Sequence, residues 1–562
     1  MAEPIAVRLA RIESAFAKDG FTVRAHAVKD DCIGALAEHA GARNGRTREP
    51  KRAFCLQGDN YHMGWLMGFL AEPAVSRMAT EYVDKVVFAF FDEAAASTAA
   101  LAPLRALLSR ILIEAAERTI ADIPREYFAE IDGMEAGCRA ANPATRVRRD
   151  RLIALNVGID FILAHVYSGK LFAERGFPAH LLRTPIGCNA FILTGAAAGG
   201  RIFFGRDFMF PTAGVFQDVA CLVLYIPDPL DGGMRHAFLS LTAPGIIGAM
   251  TAMNEQGVAM GVNMLPSSLC DPARPGLNSL LLTRDCAQYC GSVDMVAARV
   301  RDTHRGVPWL YPVADAVGGG CVIEAGRSMA EDELLPDLAS IPENYRRLLP
   351  GRFYMEEMRK KYGTPRPRGG LIVRGLDYTY PRDYLADWNE KLWAERKIAF
   401  PGASFGERGF LNERWTARNC PGPFYFAPQR ESRPDVLIAT NHGICPEIRM
   451  SAMNEWIALL AGTNQNDIQW RYDELNREIL DALDAAPAGL GEGTAWDLID
   501  FLRPDGRFPE YYNRGADHPW QQVEVHGSVS LCELRGRTMR SLFGYYGDQP
   551  VSMQLGTYLP RR

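Results

Sequence analysis

GCNAFILT (187–194), GAAAGG (195–200) and RIFFGRD (201–207) form the stretch whose reading decides the fold. Two short apolar runs flank a turn of small residues, which is the pattern of a β-hairpin. Cys188 stands where the preceding helical sequence gives way to the first strand. A cysteine there is either a small buried hydrophobe or a reactive thiol. Arg206 lies in the returning strand, and a hairpin turning near 195–200 sets it beside Cys188. A guanidinium near a thiol favours the thiolate. The competing reading is an edge-strand arginine paired with Asp207.

Upstream, the first ~185 residues read as mostly helical. Ala99 to Thr119 and Arg151 to Tyr167 repeat apolar residues at three-to-four spacing. Downstream, VACLVLYI (219–226) and HAFLSLTAP (236–244) are strand-like. Leu280 to Val300 is helical, and GCVIEA (320–325) is again a strand. From about 330 to 432 the chain is rich in Pro, Arg and aromatics without long periodic segments, and reads as an insertion. VLIAT (436–440) is a strand, and Glu447 to Ala461 and Arg471 to Ala485 are helical. Glu524 to Leu559 alternates short strands with Gly turns. The order predicts an α+β chain with two antiparallel sheets between helical layers.

Composition excludes several classes. The 562 residues carry 62 basic and 67 acidic side chains, a net charge of −5, which gives no support for a nucleic-acid partner. Residues 1–25 contain charges throughout and no uninterrupted apolar core, so no secretory signal is expected. No run of eighteen apolar residues occurs, so no membrane span is expected. A cytoplasmic protein with reduced thiols is the resulting expectation. Of twelve cysteines, Cys286 and Cys290 lie four apart on a predicted helix, but no second pair answers them. No metal and no cofactor is therefore expected, and no Gly-rich phosphate loop is present.

Other candidates follow the hairpin. In MNEQGVAMGVNML (253–265), NEQG is a turn and the next strand ends on Asn263, whose amide is free at a sheet edge or engaged in turn chemistry. ATNHGICPEIR (439–449) puts Asn441 and His442 just past a buried strand. Asn side-chain N–H groups suit an oxyanion. No GxSxG supports a serine triad.

Together these segments resemble a known family. Gly187-Cys188, Gly205-Arg206, MNEQGVAMGVN (253–263), TNH (440–442) and WRYDEL (470–475) are similar, in order, to motifs of the N-terminal nucleophile (Ntn) hydrolases. The branch resembled is the cysteine branch of isopenicillin-N N-acyltransferase type, with choloylglycine hydrolases and acid ceramidase as relatives. The segment YFAEIDGMEAGCRAANPATRVRRDRLIALN (127–156) is similar to that family's leader. The resemblance covers roughly 125–325 and 435–480.

It implies a four-layer αββα sandwich over 188–562, interrupted at about 330–432 and preceded by a helical leader, 1–187. It implies autocatalytic cleavage between Gly187 and Cys188, with the pieces staying associated and a homo-oligomer allowed. Cys188 is then nucleophile and, through its α-amine, base. Arg206 stabilises the thiolate, Asn263 and Asn441 supply an oxyanion hole, and Arg471 braces the site. The substrate is a small acyl-amide, cut through a thioester, by a hydrolase or an acyltransferase. A catalytically impaired ligand-binding protein and a lipid ester hydrolase are the alternatives. The chain departs from the family pattern at Asn189, commonly Thr, and at Met209, usually Asp. Asp207 replaces that Asp only if a bulge re-aims it, because strand neighbours point to opposite faces.

Overall fold

The computed structural model describes residues 3–89, 119–167, 187–230, 233–267, 269–329, 368–378, 433–445, 466–507 and 522–560, with Arg110, Leu112, Ile113, Glu117 and Ile448. The helices used below are α1 (Ile5–Lys18), α2 (Asn60–Arg77), α3 (Arg125–Ala141), α4 (Arg149–Tyr167), α5 (Ser279–Tyr289), α6 (Val293–Asp302), α7 (Asn466–Ala485) and α8 (Glu492–Ile499). The strands run β1 (Phe21–Lys29), β2 (Cys32–Arg43), β3 (Pro50–Gly58), β4 (Cys188–Leu193), β5 (Phe203–Met209), β6 (Cys221–Pro227), β7 (Phe238–Thr242), β8 (Thr251–Asn254) and β9 (Ala259–Gly261). They continue with β10 (Asn263–Met264), β11 (Trp309–Ala314), β12 (Gly320–Ala325), β13 (Leu371–Gly375), β14 (Val436–Ala439), β15 (Glu524–Glu533), β16 (Thr538–Tyr545) and β17 (Val551–Gln554). The chain is α+β.

Among the described residues the strands form two sheets. The larger has eleven strands in the order β1-β2-β3-β6-β7-β8-β9-β11-β12-β13, with β10 also on β11. The smaller runs β14-β4-β5-β15-β16-β17. Every pairing is antiparallel except β3 with β6. The hairpin read in the sequence is β4–β5, paired without a bulge from Cys188↔Phe208 to Leu193↔Phe203.

Period-two alternation divides that hairpin's side chains between two cores. Cys188, Ile192, Phe204 and Phe208 join the core shared with β6–β9 and β11. Phe191, Leu193, Phe203 and Met209 instead join Leu475 and Ile479 of α7 and Trp496 and Ile499 of α8. The smaller sheet therefore has α7 and α8 on one side. Its β4, β5 and β14 pack on β9 to β12 of the larger sheet. The larger sheet carries α2 on β1–β3, α5 on β8 and β9, and α6 on β11 and β12.

Three expectations change. Residues 21–58 are three strands of the larger sheet, within a segment that the sequence read as mostly helical. Their alternation is diluted by Ala and charged residues, and β1 lies at the sheet edge, half-exposed. The single helix read over 280–300 is α5 and α6, divided at Cys290–Ser292, where Ser292 caps Met295 N. Within 330–432, Leu371–Gly375 is a strand paired with β12. The helix expected over 447–461 lies outside the described residues except Ile448. That expected over 99–119 does so except for Arg110, Leu112, Ile113, Glu117 and Thr119.

α2 and α3 approach closely through four glycines. A Cβ added at Gly64, Gly68, Gly133 or Gly137 would overlap Glu130 O, Met134 O, Tyr61 O or Trp65 O respectively. The contacts are reciprocal, two glycines from each helix against the other's backbone.

Candidate active site

Cys188 begins β4 and is fully buried. Its register places Phe208 opposite and Arg206, which faces Ala190, on the same face two residues along. Arg206 thus reaches the thiol as the hairpin predicted. It is itself fully buried, which holds its guanidinium down to about 10 against the pull of the thiol and Asp207. Nε donates to Asn263 Oδ1 (3.2 Å), and Nη1 to Met250 O (2.7 Å) and Thr251 Oγ1 (2.8 Å). Nη2 has no hydrogen-bond partner among the described residues. Gly261 makes room for this side chain, since a Cβ there would meet Arg206 Cδ at 2.5 Å.

The nucleophile's backbone is held on both sides. Cys188 N donates to Asn441 Oδ1 at 2.7 Å. Arg471, at the start of α7 and fully buried, donates through Nη1 to Cys188 O (2.9 Å) and Asn189 Oδ1 (2.8 Å). Its Nη2 donates to the same Asn441 Oδ1 at 2.9 Å. The guanidinium sits against the Gly187–Cys188 bond, where a Cβ on Gly187 would meet Cζ at 2.9 Å.

Burial pushes the Cys188 thiol up. Arg206, a backbone hydrogen bond at Met209 and Arg471 pull it down, Asp207 pushes it up, and burial prevails. The thiol is therefore neutral at pH 7 unless a base takes its proton.

Asp207 is not brought to the thiol. The unbulged register pairs it with Asn189, whose Nδ2 donates to Asp207 Oδ2 at 3.1 Å on the face toward α7. Burial lifts its carboxyl to about 7, opposed by Asn189, Arg471 and Arg206. Met209 lies on that same face.

Asn263 is buried with both amide atoms engaged: Oδ1 takes Arg206 Nε, and Nδ2 donates to Thr440 O at 2.9 Å. The free sheet-edge amide read from the sequence is not what the structure has. Asn441 Nδ2 likewise donates to Met264 O at 3.0 Å. His442 lies against Thr440 and Tyr472.

Two residues not singled out in the sequence hold the Asn441 loop. Glu324 of β12 accepts from Ile444 N and Cys445 N at 3.0 Å and from Arg374 Nε at 2.9 Å. Arg374 of β13 also donates to Ile438 O at 2.8 Å. A lone carboxylate inside the apolar run GCVIEA was the available signal, because a buried charge requires partners.

No protein-family model matches the chain. An uncharacterized protein of Archaeoglobus fulgidus is 28% identical over 506 residues, 89% of this chain and 65% of the relative. The chain thus spans less than two thirds of the length of that curated relative. Among solved structures it is similar to a conjugated bile acid hydrolase from Clostridium perfringens, at 10% identity over 65% of this chain and 92% of that one, TM-score 0.31. It is also similar to penicillin V acylase from Agrobacterium tumefaciens, at 11% identity over 63% and 83%, TM-score 0.28.

Proposed function

We propose that this chain is an Ntn amidohydrolase or acyltransferase built as a four-layer αββα sandwich, cut between Gly187 and Cys188 and acting on a small linear amide through Cys188. The observation that carries the reading is the wiring of Cys188. Its nitrogen is held by Asn441, its carbonyl by Arg471, and its thiol shares a face with Arg206.

The chemistry follows from these positions. Cleavage frees the Cys188 α-amine, whose ordinary pKa of about 7.7–8.0 suits it as a base near neutrality. The amine takes the thiol proton, supplying what burial denies the thiol on its own. Sγ attacks the amide carbon, the C–S bond forms, and the C=O electrons move to oxygen. The oxyanion collapses, the C–N bond breaks, and the amine leaves with the proton. Water, or a second amine, then cleaves the thioester. Arg206 stabilises the sulfur's negative charge, and Asn441 and Arg471 fix the amine's position. Asn263 orients Arg206. Each amide nitrogen carries two N–H groups, so Asn263 or Asn441 would serve as oxyanion donor through the one not given to Thr440 O or Met264 O.

Intact mass and N-terminal sequencing of the purified chain test the cleavage. The expected result is two pieces of ~20 and ~42 kDa, at about 110 Da per residue, the larger beginning at Cys188. A single uncut chain, with Cys188→Ala equal to wild type on every acyl-amide tried, would refute the proposal.

One observation favours a second reading, a non-catalytic ligand-binding protein on the same scaffold. Asp207 faces away from the thiol, and Met209 stands where the family's carboxylate is usual. That reading expects an uncut chain whose thermal midpoint rises with ligand, and a burst of acyl product eliminates it.

A further inference from the structure

The face of β4 turned away from the thiol carries its own chain of contacts. Asn189 and Asp207 stand directly opposite each other in the β4–β5 ladder, and both are buried. Asn189 Nδ2 donates to Asp207 Oδ2 at 3.1 Å, and Asn189 Oδ1 accepts from Arg471 Nη1 at 2.8 Å. The chemistry of the partners fixes that orientation. A guanidinium has donors and no acceptor, so the amide oxygen faces Arg471 and the amide nitrogen faces the carboxyl, whether or not Asp207 holds a proton.

From Arg471 the contacts close into a ring about the first residue of β4. The same Nη1 donates to Cys188 O at 2.9 Å, and Nη2 donates to Asn441 Oδ1 at 2.9 Å. That oxygen also accepts from Cys188 N at 2.7 Å. Cys188, Asn189, Asp207, Asn441 and Arg471 are all buried, where polar contacts are not weakened by bulk water. Arg471 is a long side chain reaching in from α7, with about 2 kcal/mol of rotamer freedom to lose. The Asn189–Asp207 pair belongs to the sheet, whose unbulged register sets its place. The chain departs from the family pattern at residue 189 and by carrying its carboxylate at 207 rather than 209. Those two departures are each other's partners.

We propose that Asn189 and Asp207 are positioning residues for the reaction at Cys188. The pair seats Arg471, and Arg471 sets the Cys188 carbonyl directly and the Cys188 nitrogen through Asn441. The inference rests on Cys188 as nucleophile and its α-amine as base. Asp207 then contributes from the far face of the strand, without a bulge and without touching the thiol. Once the bond to Gly187 is cut, the nitrogen that takes the thiol proton is a chain end. Its hold on Asn441 Oδ1 is as firm as the ring behind it. Misplacing a reacting group by about 1 Å costs about 10²-fold in rate.

The test uses the full-length chain as wild type, Cys188→Ala, Asp207→Leu, Asn189→Leu and Asp207→Asn, each first shown by thermal melting to be folded. The probe is p-nitrophenyl butyrate, a small activated ester, read as the pre-steady-state burst of p-nitrophenolate over a range of concentrations. Either leucine variant should slow the saturating burst by about 10²-fold, with the half-saturating concentration unchanged. Asp207→Asn keeps an acceptor for Asn189 Nδ2 and should restore the rate to within about tenfold of wild type. Adding Asp207→Leu to Arg471→Lys should slow the burst no further than Arg471→Lys alone, because residues that act as one unit are not additive. A folded leucine variant whose burst stays within about twofold of wild type overturns the proposal, since the pair then serves stability alone. So does an Asp207→Asn burst as slow as that of Asp207→Leu, or losses that multiply in the double variant. No burst in the wild type, or an equal burst in Cys188→Ala, removes Cys188 as nucleophile and this proposal with it.

Discussion

Replacing Arg206 separates charge from packing at the Cys188 site. Arg206→Met and Arg206→Lys both remove the fork that serves Asn263 Oδ1, Met250 O and Thr251 Oγ1. Each acceptor stranded in the core costs about 1–3 kcal/mol, so both variants lose stability. Only the methionine also removes the positive charge. Arg206 is the largest influence opposing burial on the Cys188 thiol. A neighbouring opposite charge typically favours the ionised form by about 1–3 pH units, or ~1.4–4 kcal/mol. The sign is fixed: without that charge the thiol rises further, and less thiolate exists at pH 7. Because the thiolate is the alkylating species, Arg206→Met should label with iodoacetamide about 10- to 1000-fold more slowly at pH 7. Its labelling profile should move to higher pH, while Arg206→Lys should keep most of the wild-type profile. The assay is Cys188 labelling by peptide mass from pH 6 to 10 on samples first shown to be folded. Equal profiles for Arg206→Met and wild type would refute the argument that this guanidinium acts on the thiol.

Three further outcomes follow. Gly133→Ala places a methyl into Tyr61 O at the α2–α3 contact, and overpacking of this kind should cost about 1–3 kcal/mol in urea unfolding; an unchanged midpoint would show that the helices separate freely. Asp207, lifted to about 7 in the folded chain from an ordinary ~3.9, binds a proton that the unfolded chain releases. Its contribution is full below about pH 4 and fades as pH rises through about 7, so Asp207→Asn should flatten the fall in urea midpoint across that window, and an unaltered slope contradicts the assignment. Glu324→Gln breaks the buried pair with Arg374 and weakens the hold on Ile444 N and Cys445 N. It should lower stability by about 3–5 kcal/mol and slow any cleavage at Gly187–Cys188, and a variant with wild-type urea midpoint and cleavage rate would remove Glu324 from the support of Asn441.

The hairpin was legible because everything deciding it is local. Two apolar runs, a small-residue turn and period-two alternation fix which side chains share a face. Cys188 with Arg206, and Asn189 with Asp207, follow from counting alone. Arg471 and Asn441 came through resemblance, since nothing local says that residues 283 and 253 positions after Cys188 meet its backbone. β1–β3 were missed for a different reason. In FTVRAHAVK and CIGALAEHAGAR, alanine and charged residues stand where β-branched residues usually mark a strand. The overlooked cue was Asp30-Asp31 between Lys29 and Cys32, a two-residue turn with Asp30 at φ 52°. β13 was illegible because its partner β12 lies some fifty residues earlier, and pairing across that distance leaves no periodic trace. The engaged amides of Asn263 and Asn441 could not be read either, because their partners are backbone carbonyls that sequence does not distinguish.

The seam between β3 and β6 bears on what a cut at residue 187 would do to the molecule. Seven residue pairs, from Arg52↔Cys221 to Gly58↔Pro227, run along it, with β1 and β2 beyond one strand and β7 beyond the other. The two polypeptides so produced would be joined through the interior of one sheet, with no exposed edge between them. Parting them would open a buried ladder and unravel a common core, so they should elute as one body until they unfold as one. Hydrolysis there would change the chain count and the chemistry at Cys188 while leaving the architecture nearly untouched. Evolution on either side of position 187 is then constrained like the two halves of a single domain.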